Sequence, residues 1–128
     1  MTGTLAEPPT VLVVDDVADA RDVLSELMRS ERYRVVEAAD GAEAVEAAAR
    51  ERPHLVLLDL NLPVLDGLEV ARRLRRLPGM EGVPVVAVTA YHYYGMREAA
   101  LEAGCDEYLP KPVDFDELKE VVHRLLGG

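Results

Sequence analysis

The chain has no Trp, one Phe and one Cys among its 128 residues, and far fewer basic groups than acidic ones. With Cys105 as the lone thiol, no intrachain disulfide and no thiolate metal cluster can form. Beside the turn residue Gly104 it reads as a small buried side chain. The shortage of large aromatics means that the core is aliphatic, built from Leu, Val and Ala. No apolar stretch approaches the length of a membrane span, and the N-terminal MTGTLAEPPT lacks the basic and apolar regions of a signal peptide. A soluble, cytoplasmic protein with no membrane partner is expected. The formal charge of −10 argues against direct contact with nucleic acid, and suits a cation or a protein partner instead. His54, His92 and His123 are scattered, with no spacing suited to a metal.

What is present is a regular alternation. A hydrophobic fraction of 49% and this length imply one domain with its own core. Residues 1–9, with Pro8-Pro9, read as a flexible lead-in, and residues 10–126 as the domain. Short apolar runs at Val11 to Val14, Leu55 to Leu58, Val85 to Val88 and Tyr108 to Pro110 suit strands, and Arg34 to Glu37 reads as a short second strand. Between them, apolar positions recur at helical spacing. These are Ala20, Val23, Leu24, Leu27 and Met28; Val45, Ala48 and Ala49; Gly67, Val70, Ala71, Leu74 and Leu77; Met96, Ala99, Ala100 and Ala103; and Phe115, Leu118, Val122 and Leu125. Pro53, Pro78-Gly79 and Gly104 punctuate the helix ends. Five strand–helix units in this order imply an α/β, doubly wound parallel sheet between two helical layers, with right-handed crossovers. No effector domain is expected after the last helix.

Four of the runs end in a polar residue for which a buried strand has no packing use. Val14 leads into Asp15 and Asp16, Leu58 into Asp59, Val88 into Thr89, and Pro110 into Lys111. Ligands of open parallel sheets bind beyond the carboxyl ends of the strands. If these strands are neighbours, three carboxylates, a hydroxyl and an ammonium converge there, a set suited to a divalent cation and a phosphoryl group.

Those residues, with Leu62-Pro63, Asp66-Gly67, Thr89-Ala90, Gly104, Asp106, Tyr108 and Lys111-Pro112, make the chain resemble a receiver domain of the two-component response regulators, of the stand-alone type. The resemblance runs from about residue 10 to about residue 126. It implies a flavodoxin-like (βα)5 fold with five helices and strand order 2-1-3-4-5. It further implies that Asp59 accepts a phosphoryl group from a phosphohistidine of a histidine kinase or a histidine phosphotransfer protein. Mg²⁺ (or Mn²⁺) would be bound by Asp16, Asp59 and the backbone carbonyl of Asn61, with Asp15 acting through water. Thr89 and Lys111 would contact phosphoryl oxygens, the Lys111-Pro112 bond would be cis, and Thr89 with Tyr108 would form the conformational switch. The chain would then be a signalling module rather than an enzyme with an external substrate. It would act on a downstream protein target through the helix 4, strand 5 and helix 5 face or by onward phosphorelay, as a monomer or a phosphorylation-dependent dimer.

Other readings are open at this point. A haloacid-dehalogenase-type phosphatase also uses a strand-end Asp, but it wants a second acid where Asn61 stands, and it needs a cap domain. A pseudo-receiver binding module, or a receiver excised from a hybrid histidine kinase, would use the same fold. The most individual feature is Tyr91-His92-Tyr93-Tyr94, three Tyr in four residues before the fourth helix. Tyr offers rigid contact area with a polar tip, so this segment is a candidate partner patch. Tyr91, two residues past Thr89, is also expected to restrict water access and slow dephosphorylation.

Overall fold

The structure, a computed structural model, describes residues 7–63, 65–90 and 94–127. Five parallel strands alternate with five helices. They are β1 (Thr10–Val14), α1 (Ala18–Ser30), β2 (Arg34–Ala38), α2 (Gly41–Glu51), β3 (Leu55–Leu58), α3 (Gly67–Arg76), β4 (Val85–Thr89), α4 (Met96–Glu102), β5 (Glu107–Pro110) and α5 (Phe115–Leu125). The sheet order is β2-β1-β3-β4-β5, as the resemblance implies. Of the lead-in expected over residues 1–9, residues 1–6 lie outside the described residues.

The continuous apolar runs belong to strands covered on both faces. Every residue of β1, β3 and β4 is buried, whereas the edge strands β2 and β5 are only partly so. Alternate residues feed two cores. Leu12, Val14, Val56, Leu58, Val85 and Ala87 pack toward α2, α3 and α4, while Val11, Val13, Leu55, Leu57, Val86 and Val88 pack toward α1 and α5.

Three helices start on the same local device. Asp40, Asp66 and Asp114 are N-caps whose carboxylates accept the N–H of the Glu three residues on. The Glu43 carboxylate in turn accepts from Ala39 N–H, one residue before the cap. The start of α1 has no such cap: its N-cap is Val17. At the start of α3, a Cβ on Gly67 would lie 2.3 Å from Leu60 Cα. Only glycine lets this helix press onto the loop that leaves β3, which carries Asp59.

The structure corrects some of the expected helical stripes. Ala44, Ala47 and Ala48 are the buried face of α2, and Ala49 is exposed. At 100° per residue the four cannot share one face. Leu77 lies one residue past α3, as its C-cap. Val23 and Phe115 are about half exposed and line a common surface groove rather than the core.

Candidate functional site

Strand register places the acids. Val14 of β1 sits beside Leu58 of β3, so Asp15 and Asp59 leave the sheet side by side. The backbone ladder continues through them, with Asp15 N–H donating to Ala38 O (3.2 Å) and Asp59 N–H to Val14 O (3.0 Å). Asp15 is fully buried and Asp59 nearly so, while Asp16 is exposed. One carboxylate oxygen from each of Asp15, Asp16 and Asp59 lies within 4.8 Å of the others.

Lys111 enters from the end of β5. Its Nζ donates to Asp15 Oδ2 at 2.7 Å and to Asp59 Oδ2 at 3.3 Å. Its backbone N–H donates to Thr89 O (3.0 Å), and the Lys111-Pro112 bond is cis as expected. The second oxygens of the two buried acids are held by backbone amides. Val17 N–H donates to Asp15 Oδ1 (3.0 Å) and Asn61 N–H to Asp59 Oδ1 (2.9 Å).

Burial, assisted by the neighbouring Asp15 charge, holds the Asp59 carboxyl above its ordinary pKa despite the Asn61 amide and Lys111. Burial alone would lower the Lys111 pKa, but the Asp15 hydrogen bond and the Asp59 charge raise it, so the ammonium stays charged. Three carboxylates face one ammonium here, and two negative charges remain uncompensated. That oxygen-only donor set fits a small hard cation such as Mg²⁺ or Mn²⁺, which would relieve the repulsion.

Thr89 is fully buried at the end of β4. Tyr108 sits beside Ala87 in register and packs, half-buried, against the core under α2, α3 and α4. Of the proposed partner patch, Tyr91, His92 and Tyr93 lie outside the described residues, as does the expectation for Tyr91 and water access. Tyr94 is fully exposed. The two described His residues are structural. His54 Nδ1 accepts Thr10 N–H (2.9 Å), and His123 Nε2 meets Glu31 Oε1 (2.9 Å) with its ring edge-on to Tyr33. Burial, with the Asp106 charge adding, pushes the Cys105 thiol up to about 12, so it is no nucleophile at neutral pH.

Sequence reasoning missed Arg21. Its guanidinium donates to the backbone carbonyl of Asp15 (2.9 Å) and to Glu37 Oε1 (3.2 Å), and Arg29 reaches the other Glu37 oxygen (3.4 Å). The available signal is a cation in the opening turns of a helix, where the helix dipole disfavours it. It missed Arg75 as well, one of four Arg on α3. Arg75 donates to the carbonyls of Met80, Val83 and Gly104 and to Asp106, tying α3 to two loops at the far end of the sheet.

Beside Lys111, an apolar groove of about 190 Å³ runs between Ala20, Val23 and Leu24 of α1 and Pro112, Val113 and Phe115. A further cavity of about 430 Å³ around Pro53, His54, Val83 and Leu125 shares no residue with the acidic cluster. No helix among the described residues is long and apolar enough to cross a membrane.

Residues 11–123 match the response regulator receiver domain family. The chain is 35% identical over 116 residues to sporulation initiation phosphotransferase F of Bacillus subtilis, covering 91% of this chain and 92% of that protein. It is 43% identical over 118 residues to the transcriptional regulatory protein PrrA of Mycobacterium tuberculosis, covering 92% of this chain and 50% of PrrA. The chain thus spans about half the length of that relative. Among solved structures, the receiver domain of the sensor histidine kinase PA1611 of Pseudomonas aeruginosa PAO1 superimposes with a TM-score of 0.87 at 38% identity, covering 94% of this chain and 99% of that one. That crystal structure has a magnesium ion coordinated in its active site cleft. The chemotaxis protein CheY4 of Vibrio cholerae superimposes equally well, with a TM-score of 0.87 at 27% identity, over 92% of this chain and 98% of that one.

Proposed function

The chain belongs to the response regulator receiver domain family, and from that premise we propose that residues 10–126 form a phospho-accepting receiver with Asp59 as the acceptor. The observation that carries this reading is Lys111, whose Nζ bridges the nearly buried Asp59 and the buried Asp15 inside a cluster of three acids. An ammonium so placed stands ready for the charge of an arriving phosphoryl group, which needs positioning and electrostatic help more than covalent assistance.

In the proposed reaction an Asp59 oxygen attacks the phosphorus of a phosphohistidine. The new O–P bond forms as the N–P bond breaks, and the imidazole leaves with the bonding pair and takes up a proton. The Asn61 amide holds the second Asp59 oxygen and orients the attack. Lys111 and the Thr89 hydroxyl then bind phosphoryl oxygens. Mg²⁺, held by Asp16, Asp59 and the Asn61 carbonyl with Asp15 acting through water, would supply the remaining neutralisation. Drawing Thr89 toward the phosphoryl group frees space for Tyr108 to turn inward, and this switches the α4–β5–α5 face toward a downstream protein.

The phosphoryl donor is a histidine kinase or histidine phosphotransfer protein, which must approach within bonding distance of Asp59. The exposed Val23 and Phe115, flanking the groove beside Lys111, are the apolar surface on which it docks. Tyr91 to Tyr94 form the candidate output patch. The likeness to a receiver found within a sensor histidine kinase supports a second setting, in which the same chemistry serves a hybrid kinase.

Intact-mass measurement after incubation with Mg²⁺ and acetyl phosphate tests the reading. A single phosphoryl adduct is expected that needs Mg²⁺ and is absent from Asp59→Asn. An adduct that persists in Asp59→Asn moves the acceptor elsewhere, and none at all with bound Mg²⁺ favours a pseudo-receiver or a strict need for a protein donor.

A further inference from the structure

The hydrogen bonds that hold Asp15 and Asp59 run through their own carboxylates, to Lys111, Val17 N–H and Asn61 N–H. Asp16, the exposed member of the cluster, lies outside that mesh. Its aim depends on the backbone that carries it. That backbone begins at the peptide joining Asp15 to Asp16, whose carbonyl accepts Arg21 Nη1–H at 2.9 Å. A peptide is planar, so fixing this carbonyl fixes the direction in which the Asp16 Cα leaves the buried strand end.

Arg21 is itself held. It is largely buried, and its Nε–H donates to Glu37 Oε1 at 3.2 Å. Glu37 lies on β2, across the sheet edge, and its other oxygen takes Arg29 at 3.4 Å. The planar guanidinium fork thus spans a side-chain acceptor on β2 and a main-chain acceptor at the end of β1, from a helix with no polar N-cap. We infer that Arg21 is a positioning residue for the cation site: it clamps the Asp15–Asp16 peptide and so aims the Asp16 carboxylate at the cation. This rests on the proposed receiver site and adds a residue to its machinery.

Position and charge predict opposite signs. If Arg21 acted only as a positive charge near three acids, removing it would make the cluster more attractive to Mg²⁺. If it acts as a clamp, removing it weakens Mg²⁺ binding although the cluster becomes more negative. Outer partners of metal ligands commonly change affinity by roughly tenfold or more.

The test is calorimetric titration of the apo protein with MgCl₂, for wild type, Arg21→Met and Arg21→Lys, with amide NMR of Asp16 and Val17 and thermal melting of each apo form. The expected result is a Mg²⁺ Kd raised about tenfold in Arg21→Met, with displaced Asp16 and Val17 resonances and partial recovery in Arg21→Lys, which keeps the charge but not the fork. A Kd unchanged or lowered in Arg21→Met overturns the inference. Should Arg21→Met fail to fold, Arg21→Lys decides: a raised Kd in a folded apo protein supports the clamp, and a wild-type Kd overturns it. Folded wild type that takes no Mg²⁺ overturns the cation site and this inference together. Wild type that binds Mg²⁺ yet takes no phosphoryl group from either acetyl phosphate or a phosphohistidine protein donor overturns the acceptor reading alone, because the titration reads only the cation.

Discussion

Asp59 carries a charge that the fold disfavours and that the proposed chemistry requires. Burial raises its pKa, so at neutral pH the folded apo protein holds an ionised group that the unfolded chain would hold more comfortably. Asp59→Asn is therefore expected to stabilise the metal-free protein at pH 7, since it removes the buried charge, and functional sites are often strained in this way. Urea unfolding in EDTA measures this. The same titration in excess Mg²⁺ is expected to reverse the order, because the cation stabilises only the form that binds it. A variant less stable than wild type in EDTA would mean that the Lys111–Asp59 bond outweighs the burial. At this scale the placement of Asp15, Asp16, Asp59, Thr89 and Lys111 at the strand ends was legible in the sequence, because polar residues that close apolar runs have no packing role. It was not legible for Arg21 or Arg75, whose acceptors are backbone carbonyls and carboxylates distant along the chain.

At the scale of elements, loops rather than strands set the precision of the site. Gly67 shows this most directly, since its N–H donates to Leu60 O (3.1 Å) and its missing side chain admits the α3 terminus against Leu60. Gly67→Ala is expected to cost about 3 kcal/mol, because the new methyl meets backbone that cannot move aside cheaply. It should also weaken Mg²⁺ binding by shifting the loop behind Asp59. Gly79→Ala is the control. Its φ is +86° but its surroundings are open, so only backbone strain of roughly 1 kcal/mol is expected, with Mg²⁺ binding unchanged. Urea midpoints and Mg²⁺ titrations of the two variants check the contrast, and equal costs would refute it. Helix existence was readable from periodicity, while the Asp-x-x-Glu starts at Asp40, Asp66 and Asp114 are a local signal that the sequence reading did not use. Helix phase was read less well. Val23 and Phe115 fit the apolar spacing of α1 and α5 yet lie at the margin of the buried faces, where the two helices leave a groove between them.

Across the whole molecule, Arg–acid pairs join elements at the sheet edges, and their contribution depends on pH. Partial burial works to raise the Glu37 pKa, but hydrogen bonding and the charges of Arg21 and Arg29 carry it below its ordinary value of 4.5. A carboxyl whose folded pKa is depressed stabilises the fold above its unfolded pKa, and that stability is lost as pH falls through the folded value. Wild type is therefore expected to exceed Glu37→Gln in unfolding free energy at pH 7, with the gap closing as the pH drops below about 4.5. Denaturant titrations at pH 7 and pH 3 measure it, and a gap that widens in acid would contradict the sign. What the sequence by itself determined is the alternation of five strands and five helices, the two-sided burial of the central strands, and the polar residues that end them. These follow from local chemistry: the apolar period, the capping acids, and the turn residues Pro and Gly. Only the tertiary structure decided that Lys111 would bridge Asp15 and Asp59, that Arg21 would hold the Asp15 carbonyl, and that Val23 and Phe115 would stay exposed beside the site. Those contacts join residues far apart in the chain, and strand register and helix rotation, which pack the whole core at once, set their distances.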